Sequence, residues 1–517
     1  MSGSASVSRA EMRPRPGGGP ISAAAESGVE IVVIGTPTLG DHSYLVHDGQ
    51  VALVIDPQRD IDRVLALAAG RGVRVTHVFE THVHNDYLTG GLALARATGA
   101  AYHLNAADAV AFDRVPVRDG DVIDVSPVMQ TLVIATPGHT FTHLSYALAA
   151  AGRPRAVFTG GSLLYGSTGR PDLLGAAHAA ELARAQYASA HRLAAALPED
   201  AQVYPTHGFG SFCAATQPGR TPSASTIGRE QRANPALTVD EERYVRELLA
   251  GLDAYPGYYA HMGPANAAGP AAPDLTPPPR ADAAELARRI AAGEWVVDLR
   301  ARRAFAAGHL PGTLSVGLDG SFATYLGWLI PWGTPLTLLG HTPEQVTAAQ
   351  RELTRIGIDR PAAMAAGDPA QWSGGHPLRS FPLAGFSDLE AARHHRPVVI
   401  VDVRRDLEWA DSHIDGALHI PLHELPGRLD ELPDGELWVH CQSGYRAAIA
   451  ASLLDAAGRT VVAVDDDYDQ AAIRPRTITG FRHVAATGEL GGHDGPPTVS
   501  PGHAGAHSLP HAYSAHR

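Results

Sequence analysis

One short stretch constrains this chain more than any other: an apolar run that ends directly in two histidines. Residues 75–79 read Val-Thr-His-Val-Phe and are followed at once by Glu-Thr-His82-Val-His84-Asn-Asp86. The run is typical of a buried β-strand, and α/β sheets place their sites at the carboxyl ends of their strands. Two imidazoles this close in sequence can bind one cation. The sequence therefore predicts a metal site here, with Asp86 available for a neighbouring position.

Two further histidines follow apolar runs in the same way. His139 stands in Thr-Pro-Gly-His-Thr after the strand predicted at 131–135, and His207 stands in Pro-Thr-His-Gly after another apolar run. Around them the chain alternates between strands and helices. We predict strands at 31–34, 44–46 and 51–55, and helices at 60–69 and 90–98. This alternation predicts an α/β domain over residues 29–262 that carries the histidines at its strand ends.

Charge and composition limit the partners of the chain. It has 41 basic and 54 acidic residues, a formal net charge of −13, and no basic block, so we expect neither nucleic acid nor an anionic membrane surface as a partner. No apolar run reaches the ~18 residues of a membrane span, and residues 1–28 lack the apolar core of a signal peptide. We therefore expect a cytoplasmic protein without membrane contact, and a homo-oligomer is compatible with these features.

The second half of the chain contains a repeat. Residues 263–280, with Pro-Ala-Ala-Pro and Pro-Pro-Pro, predict an interdomain linker. The phrases Trp-Val-Val-Asp-Leu-Arg300 and Gly-His-Leu-Pro-Gly then recur at a constant offset as Val-Ile-Val-Asp-Val-Arg404 and Ser-His-Ile-Asp-Gly. A constant offset predicts two related α/β domains, which we place at 281–375 and 383–487. We predict that the tails, 1–28 and 488–517, are disordered.

The second repeat contains a cysteine in a distinctive loop. The predicted strand Leu-Trp-Val-His is followed by Cys441-Gln-Ser-Gly-Tyr-Arg446 and then by a helix predicted at 447–456. Backbone N–H groups and the positive end of a helix dipole favour a thiolate, which makes Cys441 a candidate nucleophile for sulfane sulfur. Arg446 would support the loop or an anionic sulfur donor. The first repeat has Gly-His-Thr-Pro-Glu-Gln at the equivalent place, with neither thiol nor arginine.

These motifs resemble those of two known families. The phrase Thr-His-x-His-x-Asp, with His139 and His207 following in order, resembles the metallo-β-lactamase superfamily, which implies an αββα sandwich. The strand end Asp-x-Arg and the loop Cys-x-x-Gly-x-Arg resemble the rhodanese domain. The fold class we expect is therefore α/β, with an αββα metallo-β-lactamase sandwich followed by two rhodanese-like α/β domains, the first of them without a catalytic cysteine.

The order of the three domains is similar to that of the persulfide dioxygenase–sulfurtransferase fusions of sulfide detoxification. This resemblance implies one Fe(II) per chain, with O₂ and a low-molecular-weight thiol persulfide as substrates and sulfite as product. In that family two histidines and one aspartate hold iron, at the positions of His82, His139 and Gly161 here. The chain also has Tyr87 where the superfamily pattern has its last histidine.

Because Gly161 offers no ligand, we predict that His84 completes a three-histidine centre with His82 and His139. Three imidazoles suit Fe(II) or Zn(II). We expect a carboxylate introduced at position 161 to strengthen iron binding. Three other side chains are assigned to supporting roles or to a weak second site: Asp86, Asp172 and His207.

Three functions are compatible with these residues. The first is an iron persulfide dioxygenase fused to a sulfurtransferase. The second is a zinc thioester hydrolase similar to glyoxalase II, although hydrolysis profits from two metals that grip one hydroxide. The third is a non-oxidative sulfur carrier in which Cys441 works and the first two domains are a scaffold. Iron, zinc or no metal after purification would separate the three.

Overall fold

The structure of the chain is a computed structural model that describes residues 28–208, 210–215, 224–469 and 481–483. The tail predicted at 488–517 lies outside these ranges, as does the tail predicted at 1–28 apart from Gly28. No helix in the described ranges combines the length and the apolarity that crossing a lipid bilayer requires.

The first unit contains two six-stranded sheets. Strands of the first sheet follow the order of the sequence: β1 (Glu30–Thr36), β2 (Asp41–His47), β3 (Val51–Ile55), β4 (Arg74–Phe79), β5 (Ala101–Asn105) and β6 (Val115–Val117). Strands of the second sheet, also in sequential order, are β7 (Val122–Ser126), β8 (Met129–Ala135), β9 (Leu144–Ala150), β10 (Arg153–Gly160), β11 (Gln202–Pro205) and β12 (Ser225–Thr226).

Helices cover both sheets on their outer faces. The first sheet packs on α1 (Asp62–Arg71) and α2 (Gly91–Thr98), and the second on α3 (Ala179–Ala196), α4 (Ile227–Ala233), α5 (Pro235–Thr238) and α6 (Glu241–Ala250). A 3-10 turn, Ala176–His178, precedes α3. Between the sheets, aromatic side chains such as Phe79, Tyr146 and Phe158 form one apolar layer. The arrangement confirms the predicted αββα sandwich.

A helix runs across the boundary predicted at residue 262. This helix, α7 (Tyr259–Ala268), enters the stretch that the sequence analysis assigned to a linker. Proline inside a helix removes one hydrogen bond, but burial of Met262 and Asn266 stabilises α7 in spite of Pro264. The irregular connection therefore begins only after residue 268.

The two remaining units are sheets of parallel strands with helices around them. The first contains α8 (Ala283–Ala291), β13 (Trp295–Asp298), α9 (Arg302–Ala307), β14 (Leu314–Ser315), α10 (Phe322–Leu329), β15 (Leu336–Gly340), α11 (Pro343–Arg355), β16 (Ala363–Ala366) and α12 (Pro369–Trp372). The second contains β17 (Leu383–Ala384), α13 (Phe386–His395), β18 (Val399–Asp402), α14 (Asp406–Asp411), β19 (Ser412–Ile414), β20 (Leu418–His419), two 3-10 turns (Leu425–Gly427 and Leu429–Glu431), β21 (Glu436–His440), α15 (Tyr445–Ala456), β22 (Thr460–Val464) and β23 (Phe481–His483), which pairs with β19.

Both units have the same strand order. The first is β14-β13-β15-β16 and the second is β20-β18-β21-β22, extended by β17. The repeated Asp-x-Arg phrase also has the same contacts twice. Arg300 donates to Asp298 and to the Gly308 carbonyl, at 2.7 and 2.8 Å, and Arg404 donates to Asp402 and to the Ser412 carbonyl, at 2.7 and 2.6 Å. The repeat in the sequence is therefore also a repeat in structure.

A single apolar cluster connects all three units. It includes Leu88 and Met262 of the sandwich, Leu326 of α10, and Val401 and Cys441 of the last unit. We call the unit that contains α10 the first repeat and the unit that contains Cys441 the second repeat. The first repeat contacts both of its neighbours and so links the sandwich to the thiol.

Candidate functional site

Three buried histidines meet at the strand ends of the sandwich. His82 follows β4, His139 follows β8 and His207 follows β11. One nitrogen of each lies within 4.8 Å of the others, and all three rings are almost completely excluded from solvent. Imidazoles gathered at this spacing from three separate strands form a candidate metal centre.

Hydrogen bonds show which nitrogen His82 offers. The Thr81 hydroxyl donates its one proton to Asp56, at 2.8 Å, so it accepts at 2.9 Å from Nδ1 of His82. Nε2 of His82 is then the unprotonated nitrogen, and it is buried without a hydrogen-bond partner among the described residues. A buried lone pair without a donor is costly, and a metal ion would satisfy it.

His139 and His207 repeat this pattern. Nδ1 of His139 donates to the Arg170 carbonyl at 2.8 Å, and Nδ1 of His207 donates to Asp41 at 3.0 Å. The Nε2 atoms of both are buried and have no partner within the described ranges. Metal-binding histidines characteristically donate their second N–H in this manner. The three residues therefore fit a divalent cation.

The electrostatic surroundings of the three rings differ. Burial, together with the neighbouring imidazoles, lowers the pKa of His82 and His139 well below its usual value. Burial has the same effect at His207, but Asp86 and Asp41 outweigh it and raise the pKa of that histidine to about 9. A cation at this site takes the place of the proton on His207 and interacts favourably with the same two carboxylates.

The structure does not bring His84 into this group, in contrast to the set predicted from the sequence. Its Nε2 lies 3.1 Å from Glu80, 3.3 Å from Asp56 and 3.0 Å from the Tyr87 hydroxyl. Burial opposes protonation, but Asp56 and Glu80 raise the pKa of His84 well above its usual value. Nε2 of His84 thus pairs with two carboxylates, while its Nδ1 is buried without a hydrogen-bond partner in the described ranges. His207 is the third histidine of the candidate cluster.

Of the three residues assigned to a second site, Asp86 and His207 lie together and Asp172 lies apart. Asp86 is buried and groups with His207 and His84, and its Oδ2 lies 3.3 Å from Nδ1 of His207. This second cluster shares His207 with the first. Asp172 instead forms a two-pronged ion pair with Arg170, at 2.7 and 2.8 Å, and anchors the loop after Gly169.

Gly161 lies against the ring of His139. A β-carbon at position 161 would lie 2.6 Å from Cγ of His139, and one at Gly169 would lie 2.7 Å from its Nδ1. The ring is therefore held between two glycines, with no room for a side chain at either position. A carboxylate at position 161 would require the ring of His139 to move, so the expectation that it strengthens the site stays a prediction that depends on this movement.

Several supporting residues were missed by the sequence analysis. Asp56 accepts from Thr81 and Thr206 and so fixes the segments that carry His82 and His207. The ring of His143 accepts the N–H of Gly161 at 3.0 Å, which occupies its Nε2. One signal could have indicated Asp56, which directly follows the buried strand β3, just as the His82 segment follows β4. No comparable signal marks His143.

One asparagine holds the metal loop from outside the sandwich strands. Asn266, in α7, donates to the carbonyls of His84 and Tyr87, both at 2.8 Å, and accepts from the N–H of Thr89 at 2.9 Å. The N–H of Leu88, between them, donates to the Arg355 carbonyl of the first repeat at 2.7 Å. The backbone after His82 is therefore positioned by segments far along the chain.

The thiol of Cys441 lies in a cradle of backbone donors. Its Sγ accepts from the N–H groups of Gly444 and Ala447, at 3.2 and 3.4 Å, at the start of α15. Gly444 has φ +88°, and a β-carbon there would lie 3.0 Å from Cα of Asp465. Only glycine fits this turn. N–H groups aimed at sulfur stabilise a thiolate, or the terminal sulfur of a persulfide.

Arg446 supports this loop through an ion pair. Its two Nη atoms donate to both oxygens of Glu408, at 2.6 and 2.7 Å. Burial opposes ionisation of Glu408, but Arg446 and Arg405 hold the pKa of that carboxyl at about 2. In the first repeat the same place holds a capped helix, where the Thr342 hydroxyl accepts from the N–H of Gln345 at 3.3 Å.

Comparisons with known proteins agree with this geometry. Residues 37–207 match the model of the metallo-beta-lactamase superfamily. A hydroxyacylglutathione hydrolase of Cereibacter sphaeroides is 32% identical over 244 residues, which cover 41% of this chain and 88% of that enzyme. The chain belongs to the metallo-β-lactamase superfamily. A second hydroxyacylglutathione hydrolase, from Polaromonas sp., is 35% identical, and the match spans 31% of this chain and little more than half, 57%, of that enzyme.

Other superfamily members resemble the chain as well. The human mitochondrial persulfide dioxygenase ETHE1 is 29% identical over 40% of this chain and 74% of its own length. A metallo-beta-lactamase structure from Staphylococcus aureus superposes with a TM-score of 0.58 at 26% identity, covering 66% of this chain and 99% of that one. Residues 386–472 match the rhodanese-like domain. The chain therefore combines a metallo-β-lactamase fold with a rhodanese-like domain, and a rhodanese origin of the first repeat stays a prediction.

Proposed function

We propose that the chain oxidises a low-molecular-weight thiol persulfide with O₂ at the sandwich and transfers sulfane sulfur at Cys441. The observation that carries this proposal is the convergence of three buried Nε2 atoms without a hydrogen-bond partner among the described residues, in a chain that also cradles a thiol. The similarity to the persulfide dioxygenase ETHE1 supports it, as does the match of residues 386–472 to the rhodanese-like domain.

His82, His139 and His207 would hold one divalent ion, which we propose to be Fe(II). Such an ion supplies a Lewis acid and a redox partner for O₂ next to the substrate sulfur. Asp41, Thr81 and the Arg170 carbonyl keep the Nε2 lone pairs directed at that point.

At Cys441 the proposed reaction uses a thiolate and the protein groups that stabilise it. The N–H groups of Gly444 and Ala447 stabilise negative charge on sulfur. The Glu408–Arg446 pair keeps the loop in the shape that aims these donors at Sγ. We propose that the thiolate of Cys441 accepts one sulfur atom from a donor and passes it to an acceptor nucleophile.

A second candidate is hydrolysis of a thioester with zinc. Hydroxyacylglutathione hydrolases are among the relatives, and the cluster of His84, Asp86 and His207 lies beside the first. Two adjacent metals that grip one hydroxide would suit that reaction. The ion pairs of His84 with Asp56 and Glu80 count against it.

Two assays on one preparation separate these candidates. The full chain is loaded anaerobically with Fe(II) or Zn(II) and given either glutathione persulfide in an oxygen electrode or a hydroxyacylglutathione thioester. We expect O₂ uptake and sulfite with iron, and no thioester hydrolysis with either metal. Thioester hydrolysis without O₂ uptake would replace the first candidate by the second. Activity in neither assay, with sulfur transfer intact, would leave the sulfur carrier.

A further inference from the structure

A carboxylate lies beside the thiol at the same edge of the sheet. Cys441 directly follows β21 and Asp465 directly follows β22, and these parallel strands are neighbours. Val439 pairs with Ala463, so Cys441 and Asp465 each stand two residues further along. Neighbouring strands lie about 4.8 Å apart. The Asp465 carboxylate also contacts the position that a β-carbon of Gly444 would take, and the N–H of Gly444 binds Sγ. A negative charge therefore lies close to the sulfur.

This charge opposes ionisation of the thiol. Like charges repel, and the repulsion is stronger for buried groups than for groups in water. The side chain of Asp465 is only 6% exposed, so without a counter-charge it would disfavour the thiolate of Cys441. The guanidinium of the loop itself, that of Arg446, already pairs with Glu408. A cation from outside the loop has to balance Asp465.

The first repeat supplies this cation twice. Nε of Arg302 donates to Oδ1 of Asp465, and Nε of Arg303 donates to Oδ2, both at 2.7 Å. Nη1 of Arg302 also donates to Asp319 at 3.2 Å. Burial opposes the charge of this guanidinium, but the hydrogen bond to Asp465 and the neighbouring anions, including the Cys441 thiolate, outweigh it and raise the pKa of Arg302. Two consecutive arginines at the start of α9 thus cover both oxygens of one carboxylate in the second repeat.

Other titratable side chains near the loop, in the described part of the chain, are uncharged or paired at neutral pH. The uncharged ones are buried: His440, whose pKa burial lowers to about 4, and Tyr325 and Tyr445, whose pKa burial raises. The charged ones contact an opposite charge: Arg446 meets Glu408, Arg405 meets Glu408 and Asp253, and Arg404 meets Asp402. The contact with Asp465 is therefore the place where the first repeat changes the charge around the thiol.

We propose that Arg302 and Arg303 of the first repeat act as positioning residues for sulfur transfer, because they neutralise Asp465 and so permit the Cys441 thiolate. The N–H groups that surround the sulfur are local and stay in place without them. The contribution of the first repeat is charge compensation. The proposal rests on sulfur transfer at Cys441 as proposed above. It gives the repeat without a thiol a role that needs no contact with the sulfur donor.

Alkylation by iodoacetamide tests the proposal, because the thiolate is the reacting form. The rate at Cys441 is measured across pH in the full chain by peptide mass spectrometry, which distinguishes it from Cys213. Arg302→Gln should slow alkylation at pH 7 about 10-fold, the scale of one charge at this range. It should leave the plateau rate at alkaline pH unchanged, because the N–H donors stay in place. Arg302→Lys keeps the charge and should stay within about two-fold of wild type.

A second substitution separates charge from shape. Asp465→Asn removes the carboxylate, so it should be alkylated at pH 7 at least as fast as wild type. Combined with Arg302→Gln it removes one charge of each sign and should return the rate to within about two-fold of wild type. If the arginines only held the loop in shape, Asp465→Asn would slow alkylation as Arg302→Gln does, and the double variant would be no faster. That result would overturn the proposal.

A matched control is Arg351→Gln. Arg351 belongs to the same repeat, is 30% exposed against 25% for Arg302, and pairs with Asp62 of the sandwich at 2.6 Å. This variant should leave the alkylation profile unchanged. A wild-type rate for Arg302→Gln at pH 7, or an equal slowing at every pH, would overturn the proposal.

The alkylation readout is independent of the proposed function, because it needs no sulfur donor. If wild type transfers no sulfur from thiosulfate to cyanide, sulfur transfer at Cys441 fails as a function. The alkylation profiles of the four variants would still show whether Arg302 compensates the charge of Asp465.

Discussion

The thiol site is contiguous in sequence: residues 441–446 supply the thiol, one of its N–H donors and the arginine of the loop. The candidate metal centre is dispersed, because its three imidazoles, of His82, His139 and His207, come from distant positions in the chain. The thiol site is closed by local hydrogen bonds at the start of one helix. The metal loop is held by Asn266 and by the Arg355 carbonyl of another unit. A local site can therefore survive damage elsewhere, while a dispersed site depends on every segment that positions it.

The largest effect should come from the thiol. Cys441→Ser should lower sulfur transfer by about 10³-fold or more, because serine cannot hold sulfane sulfur and its hydroxyl is far less acidic. The measurement is the rate of thiocyanate formation from a thiosulfonate and cyanide. Bound metal should remain unchanged, as the contrast between the two sites requires. His341→Ala, at the equivalent loop of the first repeat, is the control, and transfer by the serine variant near the wild-type rate would remove Cys441 from the reaction.

Metal content should separate His207 from His84. His207→Ala should lose most bound metal, as His139→Ala should, because each removes one of three ligands. His84→Ala should keep stoichiometric metal with about 10-fold weaker affinity, the usual scale for a supporting group. Metal analysis after dialysis, followed by competition with a chelator, measures both quantities. If His84→Ala is the variant that loses the metal, the three-imidazole set predicted from the sequence is right and the set assembled in the structure is not.

The next largest effect on metal affinity should come from substitutions at Gly161, where a side chain would crowd the ring of His139. Gly161→Asp should weaken metal binding, because its β-carbon displaces the ring of His139. Gly161→Ala is the matched control: it adds the same β-carbon without a carboxylate and should weaken binding to a similar extent. Chelator competition on the three proteins compares the affinities. Tighter binding by the aspartate variant alone would show that the ring moves aside and a carboxylate completes the centre.

A substitution in α7 should weaken metal binding without affecting sulfur transfer at Cys441. Asn266→Asp replaces an amide that donates to two carbonyls by a carboxylate that faces them. We expect metal affinity about 10-fold lower, since misplaced supporting groups cost this much, with sulfur transfer unchanged. Metal titration and the thiocyanate assay on the same preparation test this. A loss of both properties in parallel would mean that the two sites are not built independently.

The smallest effect concerns pH. The pKa of Glu408 is about 2 in the folded protein, against 4.5 for an ordinary glutamate. This ion pair therefore stabilises the fold above about pH 4.5 and loses its contribution as the pH falls towards 2. Glu408→Gln should unfold at lower denaturant concentration than wild type at pH 7, with a difference that shrinks between pH 4.5 and 2. The exposed Glu431, paired with Arg428, is the control: Glu431→Gln should change little at any pH.

The contiguous thiol site is easier to predict from the sequence than the dispersed metal site. The loop of Cys441 was predicted with its strand and helix, because its residues are contiguous. The strand ends of His82, His139 and His207 were also located correctly. The choice between His84 and His207 was beyond the sequence, since it depends on Asp56 and Glu80, which bind His84, and on Asp41, which turns His207 towards the others. Such contacts join residues that no local pattern connects.

The same limit explains what the sequence analysis missed around Gly161 and α7. A missing aspartate at position 161 looked like a lost ligand, but only the packed structure shows that the ring of His139 fills that space. Proline-rich composition around Pro264 predicted a linker, whereas tertiary burial of Asn266 and Met262 outweighs the low helix propensity of that stretch. Helix propensity depends on the local sequence, whereas burial depends on contacts with residues far along the chain.

The apolar cluster that runs from Leu88 and Met262 through Leu326 to Val401 and Cys441 has a consequence for unfolding. Separate domains melt one after another, but units that share a core lose it together. We expect calorimetry of the full chain to give one heat-absorption peak, or closely overlapping peaks, in place of three. Separating the three units from one another would expose apolar surface on both sides. We therefore expect the three units to be inherited and exchanged together.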